Sequence, residues 1–315
     1  MKIIYKDAKI GISELENESI QSCITSPPYY QVRNYQDNPL QIGLEETYQE
    51  YIFSLVEVFN GLKNKLKQDG SLFVNLGDKY DKDKNLMLIP SRFAIEMQNN
   101  GWILRNDIIW YKPNFQPSPV KDRLCNAYEH IFHFVLNKRY YYDLDSIRIP
   151  NKCEEGTQEK TYNNFIKKIN ESTLIDSEKS NAINELNILM KQGKINKDAR
   201  LKIRGTTKGL FGGDTNLSGR AKELQEKGYC FHCNNPLGKN MGDVLSVNIK
   251  SHRGLHEAVF PSELVKPLIK CSTKEGDIIL DCFAGTGTTL RVAEELHRTG
   301  IGFDINTYKQ VKSMI

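Results

Sequence analysis

The chain has 315 residues, with 43 Lys and Arg against 39 Asp and Glu and a formal net charge of +4. Its 39% hydrophobic and 10% aromatic content provides a real core and excludes a disordered polyelectrolyte, and the length suits one large α/β domain or such a domain with an insertion. No run approaches the ~18 consecutive apolar residues of a membrane span, the first residues are too polar for a secretory leader, and seven dispersed cysteines fit reduced thiols in a cytoplasm.

In chain order, Ile20 to Thr25 reads as a short strand that stops at Ser26-Pro27-Pro28, where two prolines forbid further pairing. Glu45 to Leu66 has helical periodicity, with Tyr51, Leu55, Val58, Phe59, Leu62 and Leu66 on one face. Asp69-Gly70 predicts a turn into a buried strand, Ser71 to Leu76. Pro90 opens a short helix over Ser91 to Met97, and Trp102 to Leu104 with Asp107 to Trp110 gives more strand. This alternation predicts a doubly wound, mostly parallel sheet with helices on both faces.

After Pro150 the composition changes. Asn151 to Gly228 is rich in Asn, Lys, Glu and Gly, with a helix predicted over Ser180 to Lys191. A basic run follows: Lys191, Lys194, Lys197, Arg200, Lys202, Arg204 and Lys208, opposed only by Asp198. Such a run is either a solvated linker or surface helix, or a surface that contacts nucleic acid. Cys230 and Cys233 have the spacing of half a zinc site, but completing it needs Cys153 or a histidine such as His252; no metal is expected. From Val244 the α/β character returns: a helix over Pro261 to Lys270 containing Pro267, a strand over Asp277 to Asp281, a helix over Leu290 to Leu296, and a strand over Gly300 to Asp304.

Two motifs carry chemistry. Asp281-Cys282-Phe283-Ala284-Gly285-Thr286-Gly287-Thr288 is a strand end running through a glycine loop into a helix start. The glycines let the backbone approach a ligand closely, and Asp304, ending the next strand, is placed to accept from ribose hydroxyls. No lysine follows the glycines, so this is not a phosphate-gripping loop. The second motif is Ser26-Pro27-Pro28-Tyr29. The Ser26 hydroxyl and a Pro27 carbonyl can accept both hydrogens of a planar amine, favouring a pyramidal nitrogen whose lone pair faces a methyl donor. The prolines stiffen that carbonyl, and the Tyr29 ring offers a face on which a flipped base can stack.

Together, Ser-Pro-Pro-Tyr and Phe-Ala-Gly-Thr-Gly resemble the DNA methyltransferases that modify cytosine N4 or adenine N6. The base-handling motif precedes the cofactor loop, as in the circularly permuted β group of that family. The resemblance also takes in Val74-Asn75-Leu76-Gly77-Asp78, Ile109-Trp110-Tyr111-Lys112-Pro113 and Phe260-Pro261-Ser262-Glu263-Leu264. It implies a catalytic domain in two parts, 1–150 and 244–315, around a target-recognition insertion at 151–243 whose basic run meets double-stranded DNA. It further implies S-adenosylmethionine as cofactor, held by Phe283, Ala284, Gly285, Thr286, Gly287 and Thr288 with Asp281 and Asp304, by Asp7 near the adenine, and by Phe260 and Pro261 at the methionine end. Ser26, Pro27, Pro28 and Tyr29 would handle the base, with Trp110 and Tyr111 beside it.

Ser before Pro-Pro points first to cytosine N4, with adenine N6 as the alternative. The implied setting is a cytoplasmic monomer or homodimer, either paired with a cognate restriction endonuclease or acting as an orphan modification enzyme. Ring-carbon methylation is set aside because none of the cysteines stands in a Pro-Cys pair. A glutamine-modifying enzyme would carry Asn-Pro-Pro-Tyr with the cofactor loop first. A non-catalytic DNA-binding module would have lost one of the two motifs.

Overall fold

A computed structural model describes residues 1–34, 40–150, 156–204, 220–233, 235–249 and 260–306. It divides into two compact units, Met1–Ile147 with Gly242–Ile315, and Arg148–Met241.

The first unit begins with β1 (Lys2–Tyr5), α1 (Ala8–Ser13), β2 (Ile20–Thr25), α2 (Tyr48–Leu62), β3 (Leu66–Leu76), α3 (Ile89–Asn99), β4 (Ile103–Tyr111) and β5 (Tyr128–Val135). Helix α2 starts where Thr47 and Glu50 form a reciprocal capping box. Its buried face carries Tyr51, Leu55, Val58, Phe59 and Leu62, each contributing roughly 1.5–3 kcal/mol by leaving water. Leu66 is not on that helix: it opens β3 and pairs with Ile20. Nor does Asp69-Gly70 form a turn. Between the Ile20–Leu66 and Ser22–Ser71 pairs the register shifts, and β3 absorbs the extra residues as an irregularity within one strand. The Gln21 amide donates to Asp69 Oδ1 at 3.2 Å across it. Strand β5 was not foreseen, because its Tyr-Glu-His start breaks the apolar run of Ile131 to Val135.

The second unit holds α4 (Thr157–Asn170), α5 (Asp176–Lys191), β6 (Arg200–Ile203), α6 (Arg220–Lys227) and β7 (Tyr229–His232). This is a folded body and not a solvated linker: Phe165, Ile169, Leu174, Ala182, Leu186, Ile195, Ala199, Ile203 and Tyr229 form its own apolar core. Strand β6 pairs antiparallel with β7, Arg200 opposite His232.

The chain returns to the first unit with β8 (Val244–Ser246), α7 (Ser262–Ser272), β9 (Ile278–Asp281), α8 (Thr288–Glu295) and β10 (Thr299–Asp304). Pro267 lies inside α7, which runs through it without interruption. The sheet order is β1-β10-β9-β2-β3-β5-β4-β8. Every neighbouring pair is parallel except the two made by β5, with β3 and β4.

This order positions the site. Strands β2 and β9 are parallel neighbours, with Cys23 level with Leu280, so the loops at their carboxyl ends emerge side by side. Ligands of open α/β sheets bind at that edge. Because β5 runs the other way, its first residues, not its last, reach the same edge: His130 stands opposite Leu76 and Glu129 opposite Trp110.

Candidate active site

A cavity of about 380 Å³ opens at the carboxyl edge of the sheet. Its walls take in Ser26, Pro27, Pro28 and Tyr29 after β2, Asp281 through Thr286 with Thr288 after β9, Asp304 after β10, and Asp7, Trp110 and Phe260. Two anticipated residues do not line it. Pro261 is turned to the amino end of α7, where its carbonyl accepts from Leu264 N at 3.0 Å. Gly287 sits at φ 75° before α8, where an added Cβ would stand 3.0 Å from Ile3 Cδ1; its lack of a side chain serves the turn and the packing on β1.

The two motifs are bonded across the strand pair. Thr25 Oγ1 donates to Asp281 Oδ1 at 2.6 Å, and Phe283 N donates to the same oxygen at 3.1 Å. Asp281 is enclosed, and burial, partly offset by Thr25, pushes its carboxyl up to about 6. Asp304 Oδ2 accepts from Gly285 N and Oδ1 from Asn306 N, both at 2.8 Å, which shapes the glycine loop around the carboxylate. Burial raises this carboxyl too. Asp7 caps α1, its Oδ1 accepting from Lys9 N at 2.9 Å and Ile10 N at 3.2 Å.

At the other end, the Pro28 carbonyl is taken by the Tyr51 hydroxyl at 2.8 Å, whereas no donor among the described residues engages the Pro27 carbonyl. Tyr29 packs against Gly77, where a Cβ would lie 2.8 Å from the ring, so β3 needs glycine there. The Tyr29 hydroxyl donates to Glu129 Oε2 at 2.6 Å and accepts from Asn75 Nδ2 at 2.7 Å. Burial, then the Glu129 carboxylate, pushes that hydroxyl well above its ordinary range. Ser26 Oγ lies 3.5 Å from the Tyr29 hydroxyl and 3.4 Å from Asn75 Nδ2. Lys112 bonds Glu129 and lies 4.5 Å from the Trp110 ring centre. Trp110 Nε1 is held by the Val247 carbonyl at 2.8 Å, while Tyr111 stands largely exposed.

Glu129 escaped the sequence reading. The available signal was an acidic residue heading an otherwise apolar strand, and its importance depends on a strand reversal that periodicity does not encode. The basic run, in the second unit, is only partly a surface. Lys191, Lys197 and Arg200 are exposed, and Lys194 and Lys202 are half-buried. Arg204 is committed to Glu178 at 2.9 Å, and Lys208 lies outside the described residues. Cys230 Sγ donates to Glu223 at 3.4 Å; Cys153 and His252 are outside the described residues, among which no metal-ligating group of three occurs.

The family model of DNA methylases acting on N6 or N4 amino groups matches residues 20–312. The chain belongs to this family. The enzyme is 29% identical to the Type II methyltransferase M.SmaI of Serratia marcescens, over 97% of this chain and 86% of that one. It is 28% identical to M.SfiI of Streptomyces fimbriatus, over 94% and 86%. Its fold is shared with the cytosine-N4-specific PvuII DNA methyltransferase at TM-score 0.60 and 19% identity, over 97% of this chain and 82% of that one. The same fold occurs in a DNA modification methylase of Thermus thermophilus, at TM-score 0.53 and 18% identity, over 97% and 89%. This DNA amino-methyltransferase carries no helix, among the described residues, long and apolar enough to cross a membrane.

Proposed function

We propose that the enzyme methylates the exocyclic N4 of cytosine, flipped out of duplex DNA, as the modification half of a Type II restriction–modification system. The observation that carries this reading is the single cavity joining the glycine loop to Ser26 and the unengaged Pro27 carbonyl. S-adenosylmethionine is the methyl donor; its sulfonium makes the methyl carbon electrophilic. The donor set fits such a ligand: Asp7, Asp281 and Asp304 line one end, and carboxylates complement a nucleoside that carries positive charge. Asp304 keeps a lone pair on each oxygen for ribose hydroxyls, and Phe283 and Phe260 supply apolar walls.

At the other end, the Ser26 hydroxyl and Pro27 carbonyl accept the two amine hydrogens. They hold the nitrogen with its lone pair toward the methyl group, and the proton leaves after attack. No cysteine adduct is involved. The base is identified by digesting the DNA of an expressing host to nucleosides for mass spectrometry. N4-methylcytosine is expected; N6-methyladenine would reassign the base, and no methylated base would sink the proposal.

Cofactor affinity follows Asp281. Its folded value of about 6 exceeds the ordinary 3.8, so the stability this group contributes is complete below pH 3.8 and is lost as pH rises through about 6. A positively charged ligand favours the carboxylate, so affinity rises through the same window. Calorimetry from about pH 5 to 8 reads this; a flat profile would remove Asp281 from the cofactor's charged surroundings.

In the second unit, Arg200 and Lys202 alternate onto one face of β6 and are assigned to DNA phosphates. Alanine at either lowers the slope of log affinity against log salt by about 1. Arg204→Ala costs thermal stability through the Glu178 pair instead. Unchanged salt slopes for the first two variants would move the DNA surface elsewhere.

A further inference from the structure

Glu129 gathers three donors on its carboxylate: the Tyr29 hydroxyl at 2.6 Å and Asn75 Nδ2 at 2.8 Å on Oε2, and the Lys112 ammonium on Oε1. Glu129 and Lys112 are only 13% and 15% exposed. Enclosing an ion pair is costly, and replacing it with apolar groups often stabilises a protein, so packing alone does not explain it. The line continues through Tyr29. Its hydroxyl, pushed up by burial and by Glu129, keeps its proton and donates it to the carboxylate. Asn75 fills one lone pair of the phenolic oxygen, and the Ser26 hydroxyl, 3.5 Å away, is within reach of the other.

We infer that Glu129 is a positioning residue for methyl transfer: acting through the Tyr29 hydroxyl, it turns Ser26 into an acceptor of fixed direction and lends that neutral side chain negative character. This rests on the reading of Ser26 as the amine's acceptor. A lone serine hydroxyl donates as readily as it accepts. With its proton committed to Tyr29, its lone pairs are left for the substrate amine. A hydrogen-bond chain that ends on a carboxylate polarises each oxygen along it. Serine is a weaker acceptor than a carboxylate, and Glu129, two bonds away, supplies the missing charge without placing an ionised group against the base. Lys112 holds that charge in place. No proton changes its heavy atom in this arrangement; the only bonds made and broken are those of methyl transfer.

The test measures kcat, KM for unmodified duplex DNA, and cofactor affinity on the full chain. Glu129→Gln keeps an acceptor for Tyr29 but removes the charge, and is expected to lower kcat roughly 30-fold with cofactor affinity unchanged. Tyr29→Phe cuts the same line and gives a similar loss, and the double variant is no worse than either single one. Ser26→Asp, which brings its own charge, is more active with Glu129→Gln than with Glu129 present, where two carboxylates repel. A merely structural Glu129 predicts additive losses and no such recovery, and either result overturns the inference. So does a Glu129→Gln kcat within about threefold of the parent. If Glu129→Gln fails to bind cofactor, Tyr29→Phe decides, since it removes one oxygen: parental kcat there overturns the inference. Loss of activity in Ser26→Ala beside a neutral Glu129→Gln overturns this inference alone, whereas an active Ser26→Ala overturns the amine reading as well.

Discussion

Ser26→Ala lowers turnover roughly 10²- to 10³-fold while cofactor affinity stays within about twofold. The size follows from what the hydroxyl does. The lone pair of an exocyclic amine is delocalised into its ring, and the nitrogen attacks only when it is held pyramidal by acceptors on both hydrogens. Alanine removes one acceptor and leaves the Pro27 carbonyl alone. The loss falls on kcat, because the interaction strengthens as the nitrogen pyramidalises. The cofactor end is spared: Asp281, Gly285 and Asp304 are bonded among themselves and to Thr25, with no bond through the Ser26 side chain. Calorimetry and single-turnover methylation on the same preparation separate the two effects. Equal loss of both would mean that Ser26 shapes the loop and does not meet the base.

Asp304→Asn weakens cofactor binding roughly 10²-fold, a loss larger than one neutral hydrogen bond would cause. Asp304 accepts from Gly285 N on one oxygen and from Asn306 N on the other. An amide has a single oxygen, so Asn must set its own N–H group against one of those backbone donors, and it gives up the charge as well. The deficit appears in cofactor affinity and in KM for cofactor, with kcat recovered at saturation. An unchanged dissociation constant would show that the carboxylate only braces the glycine loop. Thermal melting in the absence of cofactor measures that bracing separately.

Much of the site was legible in the chain, for a local reason. Ser26-Pro27-Pro28-Tyr29 and Asp281 to Thr288 are contiguous stretches in which strand end, turn and helix start follow from proline and glycine chemistry. Strands β2, β9 and β10 and helix α3 were likewise readable to within a few residues. The errors arose where partners lie far apart. Leu66 continues the period of α2, yet belongs to β3, because its partner Ile20 is 46 positions earlier in the chain. Helix α4 and the β6–β7 pair were missed because each is mostly polar and buries only a narrow face.

The sequence alone determined the kind of reaction: the amine-accepting motif, the glycine loop and the acidic strand end are local patterns whose chemistry does not depend on their neighbours. Only the tertiary structure decided which side chains stand around the amine. The parallel pairing of β2 with β9 unites loops 256 residues apart at Thr25 and Asp281. The reversal of β5 carries Glu129 to the same edge, 100 residues from the Tyr29 it holds. Such neighbours are set by strand order and direction, which depend on how the whole sheet buries its faces and leave no periodic mark on the residues concerned.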